Sequence, residues 1–97
     1  MPDRVDLSGH AALVTGAGRR LGQAFAMALA ERGAAIDAHY GASEKGAAEV
    51  VSMAKAGGAA AAALQADLAE PAQAAALVDR AAAALGFVDI LVNSASV

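Results

Sequence analysis

Short apolar runs alternate along this chain with longer alanine-rich segments that carry their charges on one side. Residues 10–15 form the first run, which reads as a buried strand ended by Gly16 and Gly18. Residues 20–32 then read as a helix, with Leu21, Phe25, Ala28 and Leu29 at the spacing of one face and Gly33 as the stop signal. The cycle repeats at once. Residues 34–40 predict a second strand, and residues 43–56 a helix capped by Ser43 and closed by Gly57 and Gly58. Residues 59–66 predict a third strand; alanine there favours helix by propensity, but the glycine pair breaks the preceding helix and Asp67 follows a short run. A loop over 67–70 leads to Pro71, well suited to a first helical position, and to a helix over 71–85 that Gly86 ends. Residues 88–93 supply a fourth strand. Strand and helix recur about every 25 residues, the interval of βα units, which predicts an α/β fold: a parallel sheet with helices on both faces.

Composition narrows the core. Of 97 residues 58% are hydrophobic but only 3% aromatic, and about a third are alanine, so helices must lie close on the sheet. The length suits one domain at most, against roughly 100–200 residues for a typical one. A net charge of −3 without a block of Lys and Arg speaks against nucleic acid and anionic membrane as partners. The absence of cysteine excludes disulfides, thiolate chemistry and cysteine-ligated zinc, and His10 and His39 alone make a poor metal site. No apolar stretch reaches the roughly 18 residues of a membrane helix, and residues 1–6 are too polar for a signal peptide, so a cytoplasmic location is expected.

The segment Thr15-Gly16-Ala17-Gly18-Arg19-Arg20-Leu21-Gly22 follows a predicted strand and opens a predicted helix. An ordinary βα turn explains a lone glycine loop, but this context is the one in which such a loop binds a dinucleotide. Gly16 permits the tight turn, the amides at the helix start face an anion, and Gly22 lets the helix approach the sheet.

These residues resemble the Thr-Gly-x-x-x-Gly-x-Gly loop of the short-chain dehydrogenase/reductase family, and Asn93-Ser94-Ala95-Ser96 resembles its Asn-Asn-Ala-Gly segment at the end of the fourth strand. Asp67 falls where that family has an aspartate contacting the adenine ring. The resemblance covers the whole chain, with three motifs in the right order, and it implies a doubly wound parallel sheet of Rossmann type with strand order 3-2-1-4. It implies an oxidoreductase acting on a small molecule, with cofactor contacts from Gly16, Gly18, Arg19, Arg20, Leu21, Gly22, His39, Tyr40, Ser43, Asp67, Leu68, Asn93, Ser94 and Ala95. Arg20 in place of the loop's middle glycine and Ser96 in place of the glycine of the Asn-Asn-Ala-Gly segment resemble pteridine reductases and dihydromonapterin reductase-like members. That resemblance implies substrate contacts by Arg20 and Ser96, although Arg20 also reads as a solvated helix-start residue and Ser94 departs from the family's second asparagine.

The cofactor preference follows from the end of the second strand. NAD-preferring folds place Asp or Glu there for the ribose hydroxyls, whereas here Tyr40 and Gly41 occupy the position. Arg19 and Ser43 are available to a 2′-phosphate, which points to NADP. The turn His39-Tyr40-Gly41-Ala42-Ser43 is similar to pteridine reductases and equally to 3-oxoacyl carrier-protein reductases, so a general ketone reductase stays open. Asp37 reads as a structural acid paired with an unseen group, His39 as a strand-end residue near the adenosine pocket, and Asp89 as serving the turn into the fourth strand.

The family's catalytic Tyr-x-x-x-Lys pair has no counterpart: Tyr40 is the one tyrosine and Glu44 stands four residues later. By resemblance the chain is therefore the N-terminal, cofactor-binding part of a single domain, whose catalytic residues lie beyond position 97 and whose full-length form is a homo-oligomer, a tetramer in the family. A non-catalytic dinucleotide-binding module is the alternative of another class.

Overall fold

The computed structural model describes residues 5–95. Seven elements alternate: β1 (Ala11–Thr15), α1 (Arg20–Glu31), β2 (Ala35–Tyr40), α2 (Glu44–Ala56), β3 (Ala61–Gln65), α3 (Pro71–Leu85) and β4 (Ile90–Asn93). All pairings are parallel, as the alternation predicts, and the order is β3-β2-β1-β4, as the family resemblance implies. The alanine run of β3 is a strand because Ile36 to Tyr40 of β2 supply it with a full pairing edge, and this outweighs its helical propensity.

Side chains alternate across the sheet. Ala12, Val14, Ile36 and Ala38 point to the layer formed by α1 and α2, where Ala26, Ala47, Val50 and Ala54 meet them. Leu13 points the other way, to α3, and packs with Ala66, Leu77 and Ala81. Small residues on both sides let the helices sit close, the arrangement an alanine-rich chain with few rings requires.

Two expectations about the helices need correction. The buried residues of α1 are Gly22 and Ala26, whereas Leu21 is 63% and Phe25 40% exposed. Periodicity located the stripe but weighted it by size, and close contact with the sheet selects the smallest residues. Ser43 occupies the N-cap position of α2, yet its side chain makes no capping hydrogen bond. The other terminators act as read: α3 starts at Pro71 and ends on Gly86, whose φ of 98° is in the left-handed region.

β4 forms one edge of the sheet. Leu91 lies in register with Leu13 on the same face, but it is 60% exposed while Leu13 is 1% exposed, because α3 covers β1 and stops short of β4.

Candidate functional site

The carboxyl ends of the four strands converge on one cleft of about 520 Å³. Ligands of doubly wound sheets bind at this end, where strand order reverses, here between β1 and β4. The lining brings together Gly16, Gly18, Arg19, Leu21, Gly22, His39, Tyr40, Ser43, Asp67, Leu68, Ser94 and Ala95 from the residues singled out in the sequence, and adds Gly41, Ala42, Gln65 and Ala66.

Backbone contacts set the shape of the glycine loop. Gly16 has φ 68°, and a Cβ there would stand 2.9 Å from the Ala95 Cα. A Cβ on Gly22 would meet the Gly16 carbonyl oxygen, and one on Gly18 the Ser43 carbonyl oxygen. Gly46 of α2 is equally confined, against the carbonyl of Gly18. Sequence reasoning missed Gly46, because a glycine inside a helical pattern carries no sign of what crosses it; the Gln23 side-chain amide, which donates to the Gly46 carbonyl at 3.0 Å, reinforces that crossing.

The loop ends at the start of α1. The amides of Arg20, Leu21 and Gly22 have no backbone partner among the described residues, and neither a side-chain cap nor an acidic residue in the first turn neutralises them. Three amides of a helix N-terminus are therefore left for an anion. Arg19 lies beside them and forms no ion pair among the described residues, and the uncapped hydroxyl of Ser43 faces the same cleft. No carboxylate stands at the end of β2, where Tyr40 and Gly41 line the wall.

Two side chains tie the strand ends together. The Thr15 hydroxyl accepts the amides of Ser94 at 2.9 Å and Ala95 at 3.2 Å, and donates to Asn93 Oδ1 at 3.0 Å. Thr15 thereby holds the segment after β4 against the glycine loop, a role that its place in the loop motif left unmarked. Asn93 is engaged in this contact and does not line the cleft. His39 is buried, not exposed at the strand end: its Nδ1 accepts the Gly16 amide at 3.0 Å and its Nε2 lies 2.9 Å from the Ala66 carbonyl. Asp67 has Oδ1 occupied by the Ala69 amide at 2.9 Å.

Arg20 is placed elsewhere. It lines a shallow groove between α1 and α2 with Gln23, Ala24, Met27, Val50 and Met53, outside the cleft. Ser96 lies outside the described residues. The two residues on which the pteridine resemblance stands thus have no observed position in the cleft.

Asp37 also departs from expectation. It is fully buried on the α3 side of the sheet, in register with Leu13 and Ala62, and neither carboxylate oxygen has a partner. The expected pairing is absent among the described residues, and burial pushes its carboxyl up to about 7. Asp89 does more than serve a turn: Oδ1 accepts the Ala11 amide at 2.8 Å and Oδ2 lies 2.6 Å from His10 Nδ1, joining the start of β4 to that of β1. The Ala11 amide, with the His10 contact second, holds its carboxyl below the usual range.

Among the described residues no three His, Cys, Asp or Glu side chains group to hold a metal, and no helix is long and apolar enough to cross a membrane.

Comparison with known proteins places this geometry. Residues 10–97 match the family model of the short chain dehydrogenases. Versicolorin reductase 1 of Aspergillus parasiticus is 42% identical over 97 residues, covering 100% of this chain and 37% of that protein. A short chain dehydrogenase from Burkholderia cenocepacia, solved in complex with NADP, superposes with a TM-score of 0.89 at 45% identity, covering 94% of this chain and 37% of the other. A blue fluorescent protein from a metagenomic library, solved in complex with NADPH, gives 0.89 at 41% identity, covering 95% of this chain and 38% of the other. The chain thus spans a little over a third of the length of these relatives.

Proposed function

The chain belongs to the short chain dehydrogenase family, and on that premise we propose that it forms the NADPH-binding part of a reductase acting on a small carbonyl substrate. The observation that carries this reading is the anion-ready corner of the cleft. The unpartnered amides of Leu21 and Gly22 lie there with Arg19 and Ser43, with no carboxylate at the end of β2 to repel a 2′-phosphate. The residues fit the group chemically: the α1 amides take the diphosphate, Arg19 and Ser43 the 2′-phosphate, and the wall from His39 and Tyr40 to Asp67 and Leu68 the adenosine. Gly16, Gly18 and Gly22 keep that loop low, and Ser94 and Ala95 close its far side. When bound, the nicotinamide supplies a hydride.

The relatives solved with NADP and NADPH support the cofactor, and a versicolorin reductase at 42% identity supports reduction as the direction. A pteridine substrate draws no support from Arg20, which lines the other groove, so a carbonyl is the better reading. A second reading rests on one observation: the chain holds no Tyr-x-x-x-Lys pair, and Tyr40 is followed at that spacing by Glu44. These 97 residues alone then bind dinucleotide without turning it over.

Titration with NADPH and NADH tests the proposal. We expect NADPH to bind at least about tenfold more tightly, and Arg19→Ala to erase that difference. Equal affinities in the unsubstituted protein overturn the NADP assignment. NADPH oxidation with a ketone and pterin panel, on a polypeptide that carries the Tyr-x-x-x-Lys pair, separates the reductase from the binding module.

A further inference from the structure

His39 touches both walls of the cleft at once. Its Nδ1 faces the Gly16 N–H at 3.0 Å, and its Nε2 faces the Ala66 carbonyl at 2.9 Å. A nitrogen that meets an N–H must present a lone pair, and one that meets a carbonyl must carry a hydrogen. Together the two partners select a single form, the neutral imidazole protonated on Nε2. A second proton on Nδ1 would set an N–H against the N–H of Gly16 and break that link.

The backbone of the same residue adds to the tie. The His39 carbonyl accepts the Ala17 amide at 2.8 Å, so two successive loop amides are anchored on one residue. Across the cleft, the Ala66 amide donates to the Tyr40 carbonyl at 3.1 Å, which fixes the Ala66 carbonyl that Nε2 meets. With 2% exposure, water offers the imidazole no substitute partner.

We propose that His39 is a positioning residue for the cofactor: a buried imidazole that locks the glycine loop to the end of β3, so that the diphosphate and adenosine subsites hold a fixed separation. The inference rests on the dinucleotide reading of the cleft and specifies what sets its geometry.

The test compares His39, His39→Asn and His39→Ala. NADPH affinity is measured at pH 8, and protection of the Gly16 amide is followed by hydrogen exchange without cofactor. Asn keeps one acceptor and one donor; Ala keeps neither. The expected result is a Gly16 amide protected in the histidine protein and open in the alanine variant, with about a tenfold loss of NADPH affinity at pH 8 for alanine. The asparagine variant should recover part of both losses. An alanine variant that loses Gly16 protection but binds NADPH unchanged, or an asparagine variant no better than alanine in either measurement, overturns the positioning role and leaves the cofactor assignment standing. A histidine protein with a protected Gly16 amide that binds no NADPH overturns the cofactor assignment, and this inference with it.

Discussion

The hydroxyl of Thr15 accepts the backbone amide of Ser94 at 2.9 Å, joining the end of β1 to the first residue after β4. Because the same oxygen accepts the Ala95 amide and donates to Asn93, three groups at the end of the edge strand and just beyond it depend on one side chain. Thr15→Val keeps the shape and removes all three bonds. We expect a loss of roughly 1–3 kcal/mol in unfolding free energy, the range for orphaned buried groups, with Thr15→Ser close to the parent. Urea unfolding of the three proteins checks this.

The crossing of α2 over the glycine loop depends on the absence of side chains. Gly46→Ala drives a Cβ into the Gly18 carbonyl, and Gly18→Ala drives one into Ser43. Each should cost about 1–3 kcal/mol and weaken NADPH binding, since the loop must shift to make room. Gly41→Ala is the control: it lies on the same cleft, but its nearest neighbour would be the Ala66 oxygen at 4.0 Å. Thermal melts and NADPH titration should separate the first two variants from the third.

Asp37 predicts a stability that declines towards neutral pH. Its carboxyl is raised from 3.8 to about 7 in the folded state, so the fold holds its proton across that interval while the unfolded chain has released it. Stability from this residue is fully present below pH 4, falls as the pH climbs to about 7, and is flat above. Asp37→Asn should remove that slope. Asp37→Val should do the same and raise stability at pH 8 by roughly a few kcal/mol, because an unpartnered buried charge is exchanged for an apolar group beside Leu13. Denaturation midpoints measured between pH 4 and 9 decide it.

Asp89 has the opposite sign. Its carboxyl is held below 3.8, mainly by the Ala11 amide, so its contribution is present above that value and is lost as the pH falls through the lower folded-state value. Asp89→Asn should therefore be less stable than the parent at pH 6, with the gap closing towards pH 2. Unfolding curves across that acid range give the answer.

The strand order came with the family resemblance of the motifs; the sequence by itself determined the alternation and most of the cleft. These are local and repetitive signals: apolar runs too short for helices, glycines at turns, Pro71 at a helix start, and a loop whose function depends on backbone more than on side chains. Twelve of the fourteen residues singled out for a cofactor do line one cleft, because the right-handed βα crossover delivers every strand's carboxyl end to the same edge.

Tertiary structure alone decided what depends on distance through space. Arg20 neighbours Arg19 in the chain but turns with the helix into the groove between α1 and α2. Gly46 is a weak point in α2 until Gly18 is seen crossing it. Leu21 and Phe25 read as core until the two smaller residues beside them, Gly22 and Ala26, prove to be what the sheet accepts. Asp37, expected to have a partner, has none among the described residues, and His39, read as a strand-end neighbour of the adenosine, holds two walls together. Periodicity reports which face of an element a residue occupies. Which atom waits opposite is set by the packing of segments distant in sequence, and there polar groups are satisfied or stranded.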